Sequence, residues 1–178
     1  MKGATGARRS AVLLLLAASA TTLSADVVDK AANGFTVRTV VSVAAPPAQV
    51  YQALGRIGEW WESAHTFSGS ATNLRLDTSA GGCFCERLAN GGSVQHGVVV
   101  NADPGKLLVI RGALGPLQQL GADGSLSWAI APSGTGSTLT VTYAVGGYAP
   151  GGLDALAPIV DQVIATQVKR LAAGFDRR

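Results

Sequence analysis

The chain is poor in the residue types that metal, redox and nucleotide chemistry use most often. Its 178 residues include two cysteines, two histidines and one methionine, and 14% are charged. Two cysteines cannot build the multi-bridge framework of a small secreted scaffold. Cys83, Cys85, His65 and His96 are the whole stock of soft metal ligands. Two thiolates and two imidazoles would suit tetrahedral zinc, but Cys-x-Cys is not the usual Cys-x-x-Cys knuckle, so no metal is expected. The sequence also lacks a dinucleotide fingerprint, a phosphate loop ending in Lys and a nucleophile elbow. Those absences remove three common enzyme classes, and no cofactor is expected.

Long apolar runs are scarce too. The run from Ala11 to Ala18 follows Lys2, Arg8 and Arg9 and is too short to span a bilayer. Small residues come next, with cleavage expected after Ala20 or Ala25. Residues 1–25 therefore read as an export signal, and Arg8-Arg9 also permits a twin-arginine route. The expected location is periplasmic or extracellular, with no stable membrane anchor after cleavage. The 14 Lys+Arg include Lys2, Arg8 and Arg9; without those three, basic and acidic residues number 11 each. The basic balance thus belongs to the signal, and no nucleic-acid partner is expected. About 150 residues remain, enough for one domain with a real core. Export would place Cys83 and Cys85 where a disulfide is allowed. Residues i and i+2 on a regular strand sit roughly 6.6 Å apart, near the upper limit for a bridge, so closing it needs a bulge.

What is present is a run of strands framed by helices. Residues 26–34 read as a polar lead-in and 35–178 as the domain. Phe35–Val43 is rich in β-branched residues and ends at Pro46-Pro47. Pro47 suits a first helical position, with Val50, Tyr51, Leu54 and Ile57 at helical spacing. A second short helix is expected over Glu59–Ala64, beginning with Trp60-Trp61. Strands follow at Asn73–Asp77, Gly81–Leu88, Val94–Val100, Lys106–Arg111, Ser125–Ile130 and Thr138–Val145, separated by Gly-rich turns that include Ala122-Asp123-Gly124. The chain closes in a helix over roughly Leu153–Ala173. Leu153, Leu156, Val160, Val163, Ile164, Gln167 and Leu171 make one face of it, and Pro158 bends the helix or marks its start.

One strand, two short helices, several strands and a long apolar-faced helix: this order resembles the START-like (SRPBCC) superfamily. The resemblance is carried by Val43-Ala44-Ala45-Pro46-Pro47-Ala48-Gln49-Val50-Tyr51, Trp60-Trp61, Gly81-Gly82-Cys83-Phe84 and Asp103-Pro104-Gly105-Lys106-Leu107-Leu108. The branches it is similar to are the relatives of the activator of the 90-kDa heat-shock protein ATPase and the polyketide-cyclase-like proteins. It implies an α+β helix-grip fold, a curved antiparallel sheet of six to seven strands around the C-terminal helix. It further implies a cavity between sheet and helix that takes an apolar or aromatic small molecule.

The sharpest pair of candidate residues is Glu86 and His96, on the two strands of one hairpin around Asn90-Gly91-Gly92. Register puts His96 opposite Cys85, Glu86 or Arg87, and a one-residue shift changes its face. A carboxylate and an imidazole sharing a cavity face can act as general acid and base, and the same pair can simply fix sheet register. Alternation puts Cys83, Cys85 and Arg87 on one face, and Phe84, Glu86 and Leu88 on the other. For the cysteines the readings are packing residues or a redox couple. Candidate ligand-binding residues are Trp61, His65, Phe84, Arg111, Trp128, Tyr143 and Tyr148, with Arg111 as a further polar anchor. The loop Gly112–Gln118 is unusually apolar, as a lid or contact surface would be.

Three functional readings follow. The first is an exported binding protein with an internal cavity. The second is an acid–base enzyme of cyclase or lyase type using Glu86 and His96. The third is an interaction domain using the Leu114–Leu117 loop. The residues leave open whether the protein is an enzyme.

Overall fold

The computed structural model describes residues 23–176. Most of the expected export signal lies outside the described residues. Strand β1 (Leu23–Ala31) pairs antiparallel with β2 (Gly34–Val43) across a two-residue connection. The expected polar lead-in is therefore mostly an edge strand. Asp26, Asp29 and Lys30 are exposed along it, and its stability comes from the ladder with β2 more than from apolar burial. A polar edge strand carries little periodic signal, which is why the sequence reads as a loop there.

Helix α1 (Pro47–Gly55) begins with Pro47 in the first turn, where a missing N–H costs nothing. It buries Val50, Tyr51, Ala53 and Leu54. A kink at Arg56 leads into α2 (Ile57–Trp60), so the two tryptophans end this helix and do not start it. A 3-10 turn at Ser63–His65 follows. Strands β3 (Leu74–Leu76), β4 (Cys83–Arg87), β5 (Ser93–Asp103), β6 (Leu107–Arg111), β7 (Gly121–Ser133) and β8 (Gly136–Tyr148) then meander back. The expected turn at Ala122-Asp123-Gly124 lies inside β7, where these residues pair with β8. Helix α3 (Ala157–Ala173) follows a 3-10 turn at Asp154–Leu156, and Pro158 marks its start.

The sheet has eight strands in the order β1-β2-β8-β7-β6-β5-β4-β3, all antiparallel. The strand beyond the expected six to seven is β1, formed by the lead-in, while the short β3 is the expected Asn73–Asp77 strand. The fold is the α+β helix grip. Strict alternation buries Phe35, Val37, Val41 and Val43 on β2 and Leu139, Val141, Tyr143 and Val145 on β8. The same inner face takes Leu126, Trp128 and Ile130 from β7. Against it α3 buries Ile164, Val168, Leu171 and Ala172. Bulges interrupt the β5 ladders: His96 has no partner on β4 and Val100 none on β6. Among the described residues no helix is long and apolar enough to cross a membrane.

Candidate functional site: an apolar cavity with a carboxylate–imidazole pair

Leu156, just before α3, and Ile159, Val160, Val163 and Ile164 in its first turns face a cavity of about 480 Å³. Its other walls are Trp61 and the segment Ala64–Phe67, Leu74, Phe84 and His96 of the sheet, Tyr143, and the loop Leu114–Leu117. Nearly every lining side chain is apolar, and no Lys or Arg is among them. Phe67 and Ile159 are large, exposed apolar residues that also line the cavity, so they form its rim.

The bulge at His96 builds the polar part. Phe84 pairs with Gly97 and Cys85 with Gln95, so His96 has no partner across the ladder. Register therefore does not set it opposite Cys85, Glu86 or Arg87, contrary to expectation; the extra residue turns its ring onto the inner face beside Glu86. The bulge needs close approach of backbone. A Cβ on Gly97 would meet the Arg111 carbonyl oxygen at 2.6 Å, and one on Gly112 would meet the carbonyl oxygen of His96. Two glycines thus make room for the turned-in histidine.

Glu86 and His96 are 1% and 6% exposed. His96 Nε2 lies 3.0 Å from Glu86 Oε2. The backbone N–H of Phe67 donates to Oε2 at 3.1 Å and that of Ser68 to Oε1 at 2.5 Å. Burial pushes the carboxyl up, but hydrogen bonds from Ser68, Phe67 and His96 outweigh it and hold Glu86 below the usual carboxylate range. Burial pushes His96 down, and the nearby Glu86 carboxylate only partly restores it. The pair is thus a carboxylate and a neutral imidazole near pH 7. A carboxylate only accepts, so the proton of His96 sits on Nε2 and Nδ1 keeps its lone pair. The ring stacks on Phe67 and packs against Phe84, with centroids at 5.9 and 4.7 Å.

A second imidazole sits on the cavity lining. Gln167 is fully buried on α3, and its Oε1 accepts the Glu62 N–H at 2.7 Å. That fixes the amide, so its NH₂ donates to His65 Nδ1 at 2.8 Å. With Nδ1 accepting, the ring's N–H is at Nε2. The Trp61 indole N–H donates to the His65 carbonyl oxygen at 3.0 Å, holding the same segment. A single polar residue inside the apolar stripe of α3 was the available signal for Gln167, whose role the sequence does not announce.

Of the expected ligand-binding residues, Trp61, His65, Phe84 and Tyr143 line the cavity together with the pair Glu86–His96 at its edge. Tyr143 does so with its hydroxyl committed: it donates to the Gly112 carbonyl at 2.9 Å and accepts the Leu114 N–H at 3.0 Å. Burial raises its phenol far above the ordinary value. The other three lie outside this lining. Arg111 follows inward-facing Leu108 and Ile110 by odd steps, so it points outward and pairs with Asp123 at 2.7 Å. Trp128 packs edge-on against Trp60 in the core, with centroids 5.6 Å apart, away from the cavity. Tyr148, at the far end of β8, is 71% exposed and outside the lining. The Leu114–Leu117 loop is folded down, with Leu117 buried, and serves as a cavity wall more than a contact patch.

For the cysteines the sequence leaves the redox state open and makes an irregular strand the condition for a bridge. Cys83 and Cys85 form a disulfide with Cα atoms 5.4 Å apart. The spacing is shorter than a regular strand allows, and the ladder is irregular between Phe84 and Cys85. Among the described residues no group of three His, Cys, Asp or Glu side chains is placed to hold a metal.

Comparison with known proteins agrees with this architecture. A search of the curated proteins finds no match. Among solved structures, a protein from Rhizobium leguminosarum matches with a TM-score of 0.59 at 19% identity, covering 89% of this chain and all of that one. The di-domain ARO/CYC StfQ from the steffimycin biosynthetic pathway matches at 0.57 and 16%, over 82% of this chain and 52% of that one. DynU16, from the dynemicin biosynthetic locus, matches at 0.55 and 22%, over 78% and 46%. At these identities the likeness is one of fold. The family described as polyketide cyclase / dehydrase and lipid transport matches residues 34–176, from the start of β2 to beyond the end of α3. The chain belongs to that family, the polyketide-cyclase-like branch of the START-like superfamily.

Proposed function

We propose that this protein is an exported binding protein for a neutral, largely apolar small molecule that carries a hydrogen-bonding oxygen. The observation that carries the reading is a cavity of about 480 Å³ with an apolar lining, no cationic side chain, and one neutral imidazole anchored on a carboxylate. That volume suits a drug-sized or smaller ligand. An anionic ligand such as a fatty acid would meet no counter-charge and would lie near the Glu86 carboxylate, so it is disfavoured. His96 Nδ1 is an acceptor for a ligand hydroxyl, and His65 Nε2–H is a donor for a ligand carbonyl or ether oxygen. The family to which the chain belongs supports small apolar ligands. A disulfide on the surface supports an oxidising compartment.

Titration of the mature protein with 1-naphthol, naphthalene and laurate, followed by tryptophan fluorescence through Trp61, tests the reading. The expected order is 1-naphthol tightest, naphthalene about tenfold weaker and laurate weakest, one lost hydrogen bond to a buried group being worth about 1–2 kcal/mol. Preference for laurate would contradict it.

A second reading has an observation of its own. Glu86 and His96 lie within hydrogen-bond reach and His96 opens on the cavity, the geometry an acid–base catalyst requires. Glu86 would orient the ring and raise its basicity, while Nδ1 takes a proton from an enolisable ligand. Under this reading Glu86→Gln lowers turnover of a bound β-keto compound by 10²-fold or more while binding persists; unchanged turnover would remove it.

A further inference from the structure

The outer face of β4 carries chemistry that the cavity does not use. Phe84 and Glu86 point inward, so Cys83, Cys85 and Arg87 share the opposite face. The half-buried cystine opens on a groove of about 800 Å³ lined by residues of β3, β4 and the α1–α2 corner. Arg75 stands directly opposite Cys85 in the β3–β4 ladder, and Arg87 lies two residues along the same face. Both arginines are exposed and take part in no ion pair among the described residues. The other charged groups around the groove are Arg56 and Glu59, which pair with each other at 3.2 Å, Asp77, and Glu86, whose carboxylate is held on the inner side by Phe67, Ser68 and His96. Asp77 is nearer Cys83, its N–H donating to the Cys83 carbonyl at 3.1 Å. Strand β5 offers only neutral groups there: Ser93 opposite Arg87, and Gln95, whose amide nitrogen is 3.8 Å from Cys83 Sγ.

This is the setting that makes a cysteine reactive: partial exposure and positive charge beside one sulfur. The two sulfurs are also unlike. Arg75 and Arg87 favour a thiolate at Cys85, and Asp77 disfavours one at Cys83. A ring spanning a single intervening residue removes little entropy from the unfolded chain, so structural stabilisation is a poor account of this bridge.

We propose that Cys83–Cys85 is a thiol–disulfide exchange site whose co-substrate is a thiol reductant, with Cys85 as the leaving group. The incoming thiolate attacks Cys83 Sγ and forms a mixed disulfide. The Cys83–Cys85 bond breaks, and its electron pair stays on Cys85 as a thiolate between Arg75 and Arg87. A second thiol, deprotonated, attacks the mixed disulfide and expels Cys83, which takes a proton from solvent. The protein gains two electrons and the reductant's two thiols become a disulfide. Lower thiol pKa makes the faster leaving group, which selects Cys85.

The test uses the intact folded protein with glutathione as the probe. Exchange is followed by mass, and after reduction each cysteine's alkylation rate is read against pH by peptide mass spectrometry. Cys85 is expected to alkylate with an apparent pKa at least about one unit below the ordinary thiol value near 8.5, and below that of Cys83. The double variant R75Q/R87Q is expected to exchange about tenfold more slowly. A bridge that resists glutathione and dithiothreitol until the protein unfolds would overturn the proposal. So would a Cys85 that titrates at or above the ordinary value, a result that needs no variant. Exchange in R75Q/R87Q within twofold of the wild type would overturn the arginines' part.

Discussion

Glu86 is the residue on which the site's electrostatics turn. Three N–H donors converge on its carboxylate from two parts of the chain. Glu86→Ala would leave the Phe67 and Ser68 amides and the His96 imidazole without an acceptor, and a loss of about 2–4 kcal/mol is expected by chemical denaturation. The pH dependence follows from the directions of the two shifts. Both Glu86 and His96 sit below their ordinary values of 4.5 and 6.5 in the fold. In each window the unfolded chain binds the proton more tightly, so acid favours unfolding. The stability due to His96 is complete above about pH 6.5 and is lost as pH falls through its lowered folded value; that due to Glu86 is complete above about pH 4.5 and goes the same way below it. The urea midpoint should therefore fall in two stages from pH 8 to pH 3. His96→Gln should abolish the upper stage, and an upper stage that persists in that variant would contradict the assignment. The residue types at this site were legible, since both lie in one hairpin. The inward face of Glu86 follows from alternation with Phe84. The facing of His96 was not legible, because a bulge breaks alternation at that residue and no local pattern marks it.

The elements explain why the bulge is where it is. Strand β5 must accommodate one extra residue, and its neighbour β6 runs into Gly112 just where Gly97 lies across from it. The glycine pair is thus a spacer that lets His96 turn in. Gly112→Ala places a methyl against backbone atoms of His96 and Gly97. It should cost about 1–3 kcal/mol and weaken 1-naphthol binding, while leaving far-UV circular dichroism unchanged. Binding at wild-type strength would show that the bulge does not set the site. Helix α3 was readable from its spacing, and Pro158 from the rule that proline suits a first turn. Its first turns share a cavity with the Leu114–Leu117 loop and the Ala64–Phe67 segment, a tertiary fact without a local signature. Strand β1 escaped notice for the opposite reason, since an edge strand with charged residues on both sides carries no hydrophobic period.

For the whole molecule, the order of elements was enough to give the helix grip, because a meander that returns beside its first strand and a long apolar-faced helix have few ways to share one core. Ligand chemistry was less legible: the expected polar anchor Arg111 lies on the outer face, paired with Asp123, so the cavity lining holds no cationic side chain. The position of β1 also bears on export. Cleavage after Ala25 would remove Leu23, Ser24 and Ala25 from their pairing with β2, whereas cleavage after Ala20 leaves the strand whole. The mature protein recovered from its host is expected to begin at Thr21 by intact mass.

The central claim is that a neutral His96, held on Glu86, presents an acceptor nitrogen to an apolar cavity. Imidazole ¹⁵N chemical shifts of His96 at pH 7, with and without 1-naphthol, test it most directly. The account predicts a neutral ring protonated at Nε2 in the free protein, with the Nδ1 resonance moving when 1-naphthol binds. A cationic ring, a proton on Nδ1, or an Nδ1 resonance that saturating 1-naphthol leaves in place would contradict it.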